Sequence, residues 1–236
     1  MCIMATDYGN KSIVTDGLVF AIDAANRQSY PGSGTTANTL LGTSNATLHN
    51  GVTITTEKGG TFNCDGATDY IQTQIPDPGN QATTDFWIKI NLTSGSNIMM
   101  CGWRYYCIYC RNTGGGNLGF GTGNGDVYGI SYSDITSLGI SNNWMHIVLF
   151  WNSNISYTNN KIYINGQLQT ISQQGGSENT GYRSFDNGNF GIGCWNVAHT
   201  PGIFGQPNLA SAKIYNRELS AAEVLQNYNA LKGRFE

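Results

Sequence analysis

The chain has 236 residues, of which charged side chains make up 11%, against about 25% in an ordinary soluble domain. An apolar fraction of 39%, with 13 Tyr, 9 Phe and 5 Trp, supplies a real core and excludes a disordered chain. The net charge is −3 and the 12 Lys and Arg are scattered singly, so there is no basic stripe for nucleic acid, and the longest apolar stretch, 144–151, is too short to span a bilayer.

Residues 1–14 carry neither a basic nor an apolar leader region, so no export signal is expected. Residues 1–16 lack periodicity and are expected to form an N-terminal arm ahead of a single domain over 17–236. From there, short runs of β-branched and aromatic residues alternate with Gly, Asn and Ser clusters, the pattern of an all-β sandwich or barrel. Strands are predicted at 18–23, 61–63, 70–74, 84–92, 97–101, 105–111, 117–120, 127–132, 144–151, 161–164, 167–171, 190–193 and 209–215. The run 144–151 is apolar on both alternating faces, which predicts a central strand covered on both sides. Asn165 and Gly166 suit the two positive-φ positions of a type I′ hairpin turn. One helix is convincing: Ser220 and Glu223 form a capping box, Val224, Leu225, Tyr228 and Leu231 share one face, and Gly233 can end it.

The cysteines are Cys2, Cys64, Cys101, Cys107, Cys110 and Cys194. Three form C-x5-C-x2-C, and a zinc site would need a fourth ligand from Cys64, Cys194 or a distant His. Cys107 and Cys110 lie an odd number of positions apart on a predicted strand, which sends them to opposite faces, so buried reduced thiols are expected. Asp65, Asp69, Asp77 and Asp186 could offer calcium its oxygens, but no dense Asp/Asn loop surrounds them and turn capping is the simpler role. No metal and no cofactor are expected.

The stretches 17–34 (GLVFAIDAANRQSYPGSG), 62–71 (FNCDGATDYI), 161–168 (KIYINGQL) and above all 212–235 (AKIYNRELSAAEVLQNYNALKGRF) resemble concanavalin A-like, laminin-G-like jelly-roll domains of the kind found among tailed-phage structural proteins. The resemblance implies an all-β fold: a concanavalin A-like jelly-roll β-sandwich of antiparallel strands with one short C-terminal helix. It also implies a virion location, with synthesis in the host cytoplasm.

Glucanases share this fold and would need paired carboxylates, expected as Glu-x-Asp-x-Glu on one strand. No such spacing occurs, and Glu218, Glu223 and Glu236 belong to the helical tail or the terminus. Asp65 and Asp69 flank a Gly-containing turn, and His49, His146 and His199 make no nucleophile–base pattern, so a non-enzyme is expected. Sugars stack on exposed aromatics and bond to amides. Trp103, Tyr105, Tyr106, Tyr109 and Trp195, with Arg104 and Asn112, supply both for a glycan site, or else pack the core or an interface. Alternation sets Tyr105, Cys107 and Tyr109 on one face and Tyr106, Ile108 and Cys110 on the other, and one of these faces is core. Two function classes follow. The first is a capsid decoration or cement protein docked on other virion proteins, chiefly the major capsid protein, with its arm on a neighbour and a homo-oligomer compatible with that role. The second is a carbohydrate-binding adsorption lectin for cell-surface glycans, on the phage tail or free in solution.

Overall fold

The computed structural model describes residues 12–42, 44–75, 78–92, 98–103, 106–111, 117–121, 126–153, 159–177, 185, 189–195 and 201–236. Within them, two antiparallel sheets pack face to face. The first runs β14 (Gln167–Leu168), β13 (Lys161–Ile164), β12 (Trp144–Asn152), β7 (Gln81–Lys89), β17 (Asn208–Tyr215), β5 (Thr61–Asn63) and β4 (Thr53–Thr55), with β1 (Leu18–Asp23) also pairing with β17. The second runs β15 (Ser172–Gly175), β11 (Val127–Ile130), β10 (Asn117–Gly121), β9 (Tyr106–Arg111), β8 (Ile98–Trp103), β16 (Asn189–Ile192), β6 (Tyr70–Gln74), β3 (Asn45–His49) and β2 (Thr36–Asn38).

The core lies between the sheets because alternate side chains of each strand point inward. Phe20, Phe62, Phe86, Ile147, Leu149 and Trp151 from the first sheet meet Ile71, Trp103, Ile108, Leu118, Phe120 and Phe190 from the second. Each such side chain contributes roughly 1.5–3 kcal/mol on burial. As expected, β12 lies between two neighbours, β7 and β13, and is buried along almost all its length. The hairpin turn is also confirmed: Asn165 and Gly166 have φ of 50° and 80°.

The outer face of the first sheet is covered by helix α2 (Ala221–Leu231), where Val224 and Leu219 pack on Val148, Tyr163 and Tyr215. The Ser220 hydroxyl accepts from the Glu223 N–H, and the Glu223 carboxylate accepts from the Ser220 N–H at 2.8 Å. Beneath this helix lies a buried polar network. Lys213 Nζ donates to Asp85 Oδ1 at 2.8 Å and Asn227 Nδ2 donates to Asp85 Oδ2 at 2.8 Å. His146 Nε2 lies 3.2 Å from the same Oδ1, off the axis of a good hydrogen bond.

Within the expected arm, Ser12 and Val14 bond to the domain. The Val14 N–H donates to Asn227 Oδ1 at 2.8 Å, Tyr215 Oη donates to the Val14 carbonyl at 3.0 Å, and Gln226 donates to the Ser12 carbonyl. Residues 12–14 are therefore tied by hydrogen bonds to α2 and β17. Residues 1–11 lie outside the described residues. A six-residue helix, α1 (Tyr132–Ser137), also stands where the sequence pattern placed the end of a strand, and its start is fixed by a Ser131/Asp134 capping box.

The ionisation of this network sets a pH dependence. Burial pushes the Asp85 carboxyl up, but Lys213 and His146 beside it outweigh that and hold it well below the usual range. The hydrogen bond from Arg217 holds Glu223 down to about 2. Both groups are more acidic folded than unfolded, so their stabilisation is present above the ordinary carboxylate range, near pH 4, and is lost as pH falls through the folded values. Urea midpoints should therefore decline from about pH 4.5 toward pH 2, with further loss below that. A midpoint unchanged down to pH 2 would contradict this assignment.

Candidate functional site

The outer face of the second sheet follows from the alternation. Cys101, Trp103, Ile108, Leu118, Phe120, Ile130, Phe190 and Ile192 point to the core, which turns their neighbours outward. Gly191, Gly102, Cys107 and Gly121 therefore align as one row across β16, β8, β9 and β10. A parallel row pairs Tyr109, Gly119 and Gly129 across β9, β10 and β11. The result is a glycine-rich strip, about 14 Å across at roughly 4.8 Å per strand, in which Gly102, Cys107, Gly119, Gly121, Gly129 and Gly191 are buried. The strands also crowd here: a Cβ at Gly129 would stand 2.1 Å from the Leu118 carbonyl oxygen, so this position takes no side chain.

Trp195 lies at one end of this strip, half-buried against Cys107 and Val127. Its backbone is fixed by paired hydrogen bonds with Gly202, at 2.8 and 3.1 Å. Its indole Nε1 is buried and has no partner among the described residues. At the other end, about 13 Å along β10 at roughly 3.3 Å per residue, stands Asn117. Asn117 is only 7% exposed and its Oδ1 also lacks a partner among the described residues. A buried polar group without a partner costs about 1–3 kcal/mol, so such groups are explained when a ligand satisfies them. One donor and one acceptor flanking a glycine-rich strip suit a ligand carrying several hydroxyls.

The residues singled out from the sequence fall apart in the structure. Trp103 is 0% exposed and its ring fills the space between the sheets, which is the core role that the sequence left open beside a glycan or interface one. Trp195 keeps an outward position. Tyr106 and Tyr109 have their backbones on β9, and their side chains lie outside the described residues, as do Arg104, Tyr105 and Asn112. Alternation is settled in part: Ile108 faces the core and Cys107 faces away from it. Asn117 and the glycine rows were missed. Leu118-Gly119-Phe120-Gly121 carried a signal for them, since a strict large–small alternation marks a strand that presents backbone on one face.

Other titratable groups have structural roles. Asp85, His146 and Lys213 are residue types used in catalysis, but they are sealed under α2. Asp65 Oδ1 accepts from the N–H groups of Ala67, Thr68 and Asp69, which hold its carboxyl low, while burial pushes Asp69 up. This is turn capping, as the sequence suggested. Asp77 and Asp186 lie outside the described residues. Among the described residues, no three His, Cys, Asp or Glu come together to hold a metal. Cys64, Cys101, Cys107 and Cys194 are buried, and burial pushes the thiol of Cys64 up and that of Cys194 to about 12. The side chain of Cys110, and Cys2, lie outside the described residues.

The family model of the concanavalin A-like lectin/glucanases superfamily matches residues 65–225. The receptor-binding domain of botulinum neurotoxin C/D mosaic serotype superposes with a TM-score of 0.61 at 15% identity, over 90% of this chain and 51% of that one. The ligand-binding domain of botulinum neurotoxin serotype D, solved in complex with N-acetylneuraminic acid, gives 0.57 at 14% identity, over 93% and 51%. The sialidase of Trypanosoma rangeli in complex with the inhibitor DANA gives 0.59 at 15% identity, over 92% and 33%. This chain thus spans half of each toxin domain and a third of the sialidase, and the likeness is one of fold. No curated protein matches its sequence significantly.

Proposed function

The chain belongs to the concanavalin A-like lectin/glucanases superfamily, and from that membership we propose that it is a non-catalytic module that binds glycans on the outer face of its second sheet. The observation that carries this is the pair of buried groups with no partner among the described residues, Trp195 Nε1 and Asn117 Oδ1, at either end of a glycine-rich strip. The indole offers a ring face and a donor, and the amide offers an acceptor. A botulinum neurotoxin domain of the same fold is seen with N-acetylneuraminic acid, so sialosides belong in the first ligand panel beside neutral oligosaccharides.

Trp195→Ala is expected to abolish saturable binding on a glycan array while leaving the thermal midpoint within a few degrees of the parent. Equal binding by parent and variant would remove Trp195 from the site. Absence of binding by the parent across the array would remove the reading itself.

The resemblance to tailed-phage structural proteins supports a second proposal, about place rather than chemistry. The module would sit on a virion, docked on the major capsid protein. Its copy number in purified particles, counted by mass spectrometry, tests this: hundreds per particle fit a capsid decoration, a handful fits a tail-borne adsorption lectin, and none contradicts a virion role.

A further inference from the structure

Beyond α2 the chain makes a 3-10 turn, Lys232–Arg234, and then lays Phe235 on the outer face of the first sheet. The Phe235 ring stacks on Trp87 with centroids 4.0 Å apart and planes 5° from parallel, and it meets Trp144 at 5.4 Å. Register sets Trp144 opposite Lys89 and Trp87 opposite His146, so β7 and β12 build this slot between them. Trp144 is steadied by Glu57, which accepts from its Nε1 and from Lys89 Nζ, both at 2.7 Å. Beside the slot is a seat for the preceding residue. Arg234 Nη1 donates to both carboxylate oxygens of Asp23 at 2.8 and 2.9 Å, Nη2 donates to the Gly60 carbonyl at 2.9 Å, and Nε donates to the Lys58 carbonyl. Lys58 Nζ closes over the chain and donates to the Phe235 carbonyl at 2.9 Å.

Two observations set this slot apart from ordinary packing. The carbonyls that receive Arg234 come from a strained segment: Lys58, Gly59 and Gly60 have φ of 48°, 83° and 153°, and a Cβ at Gly60 would stand 2.6 Å from the Ala24 carbonyl oxygen. Backbone of this kind persists where its surroundings over-determine it, and it clusters at ligand clamps. The second observation is a row of buried polar groups. His146, Trp87 and Ser211 lie in register across β12, β7 and β17 at 0%, 3% and 2% exposure. His146 Nδ1, Trp87 Nε1 and Ser211 Oγ have no partner among the described residues. A phenyl ring offers them no hydrogen bond, so Phe235 covers the slot without satisfying it, and a competitor has something to gain.

We propose that this slot is a peptide-recognition site for a segment of another protein in which arginine precedes an aromatic residue, and that Arg234 and Phe235 occupy it in cis. Charge complementarity argues for that occupant. The Asp23 carboxylate and two carbonyls take a planar guanidinium, bidentate as an ammonium cannot be, and Lys58 takes a backbone carbonyl. Tethered beside the slot, the chain's own segment competes at an effective concentration of about millimolar, so a partner binds by displacing it. The site lies on the other sheet from Trp195 and does not depend on the glycan reading.

The test uses the full chain carrying Arg234→Ala and Phe235→Ala together, which empties the slot, and a fluorescein-labelled peptide of the sequence of residues 231–236 (LKGRFE), read by fluorescence anisotropy. Saturable binding is expected, about tenfold or more tighter than to the parent, whose own segment competes. The peptide should also raise the variant's thermal midpoint toward that of the parent. Adding Asp23→Asn, at a partly exposed position, should weaken binding about tenfold or more, as loss of a charged hydrogen bond does. Unlabelled peptides with alanine in place of the arginine or the phenylalanine should not compete. Phe235→Ala alone, which keeps the arginine contacts, serves if the double variant does not fold. A folded variant that shows no saturable binding up to several millimolar peptide, equal binding by the parent, or binding indifferent to Asp23→Asn would overturn the proposal. Displacement of the peptide by parent chain at equal concentration would make a second copy the occupant and overturn it equally.

Discussion

Asp85→Ala is expected to destabilise the protein by about 3–5 kcal/mol, because it leaves the Lys213 ammonium buried without its partner. Asp85 and Lys213 side chains are 0% and 4% exposed, so water cannot replace what is lost. The same carboxylate also holds Asn227 of α2, which in turn holds Val14 and the Tyr215 hydroxyl. One deletion therefore loosens the helix, the segment entering the domain and the centre of the first sheet together. Against a total stability of about 5–15 kcal/mol, this brings the fold near its threshold. Urea unfolding read by tryptophan fluorescence measures it. Lys213→Met alone should cost a similar amount. The double variant Asp85→Leu with Lys213→Met should be less unstable than the sum of the singles, since a buried pair replaced by apolar groups can be nearly neutral. A loss below about 1 kcal/mol for Asp85→Ala would show that the network does not anchor the helix.

Trp103→Ala is the second large effect, at about 3–5 kcal/mol, typical for removing a large buried aromatic ring. The ring meets Trp151 edge-on at 4.9 Å and Phe190 at 4.6 Å, so alanine empties the middle of the core from both sheets. Trp103→Phe should be far milder. It keeps a ring in the space and removes an indole N–H that has no partner among the described residues. The pair of variants separates packing from recognition: Trp103→Phe is expected to bind glycan as the parent does, and a selective loss of binding in that folded variant would restore Trp103 to the site.

Where the sequence was legible, a local rule and the tertiary fold agreed. The run 144–151 was apolar on both faces and became a doubly covered strand, and Asn165-Gly166 and Ser220/Glu223 formed the turn and cap their chemistry favours. The strands β2, β3 and β4 went unseen because they are short and largely polar on one face, with little apolar periodicity to reveal them. Strand β7 starts earlier than predicted, at Gln81 rather than 84, since Thr83 is held from outside: its hydroxyl donates to the Arg217 carbonyl at 2.6 Å. Beyond Lys89 the ladder gives way to an isolated bridge between Ile90 and Ser141.

For the site, aromatic residue type was a poor guide. Trp103 and Trp195 looked alike in sequence, and only strand register and sheet packing send one inward and leave the other outside. Asn117 drew no notice because its burial comes from tertiary packing and from no pattern around it.

The central claim is that this module binds a glycan on the outer face of its second sheet and does not cleave it. The most direct measurement is proton NMR of the best array glycan mixed with the protein and followed for a day. Saturable line broadening of the sugar signals, absent with Trp195→Ala, and an unchanged anomeric spectrum are the predicted result. New reducing-end signals, or sugar lines untouched by the parent protein, would contradict it.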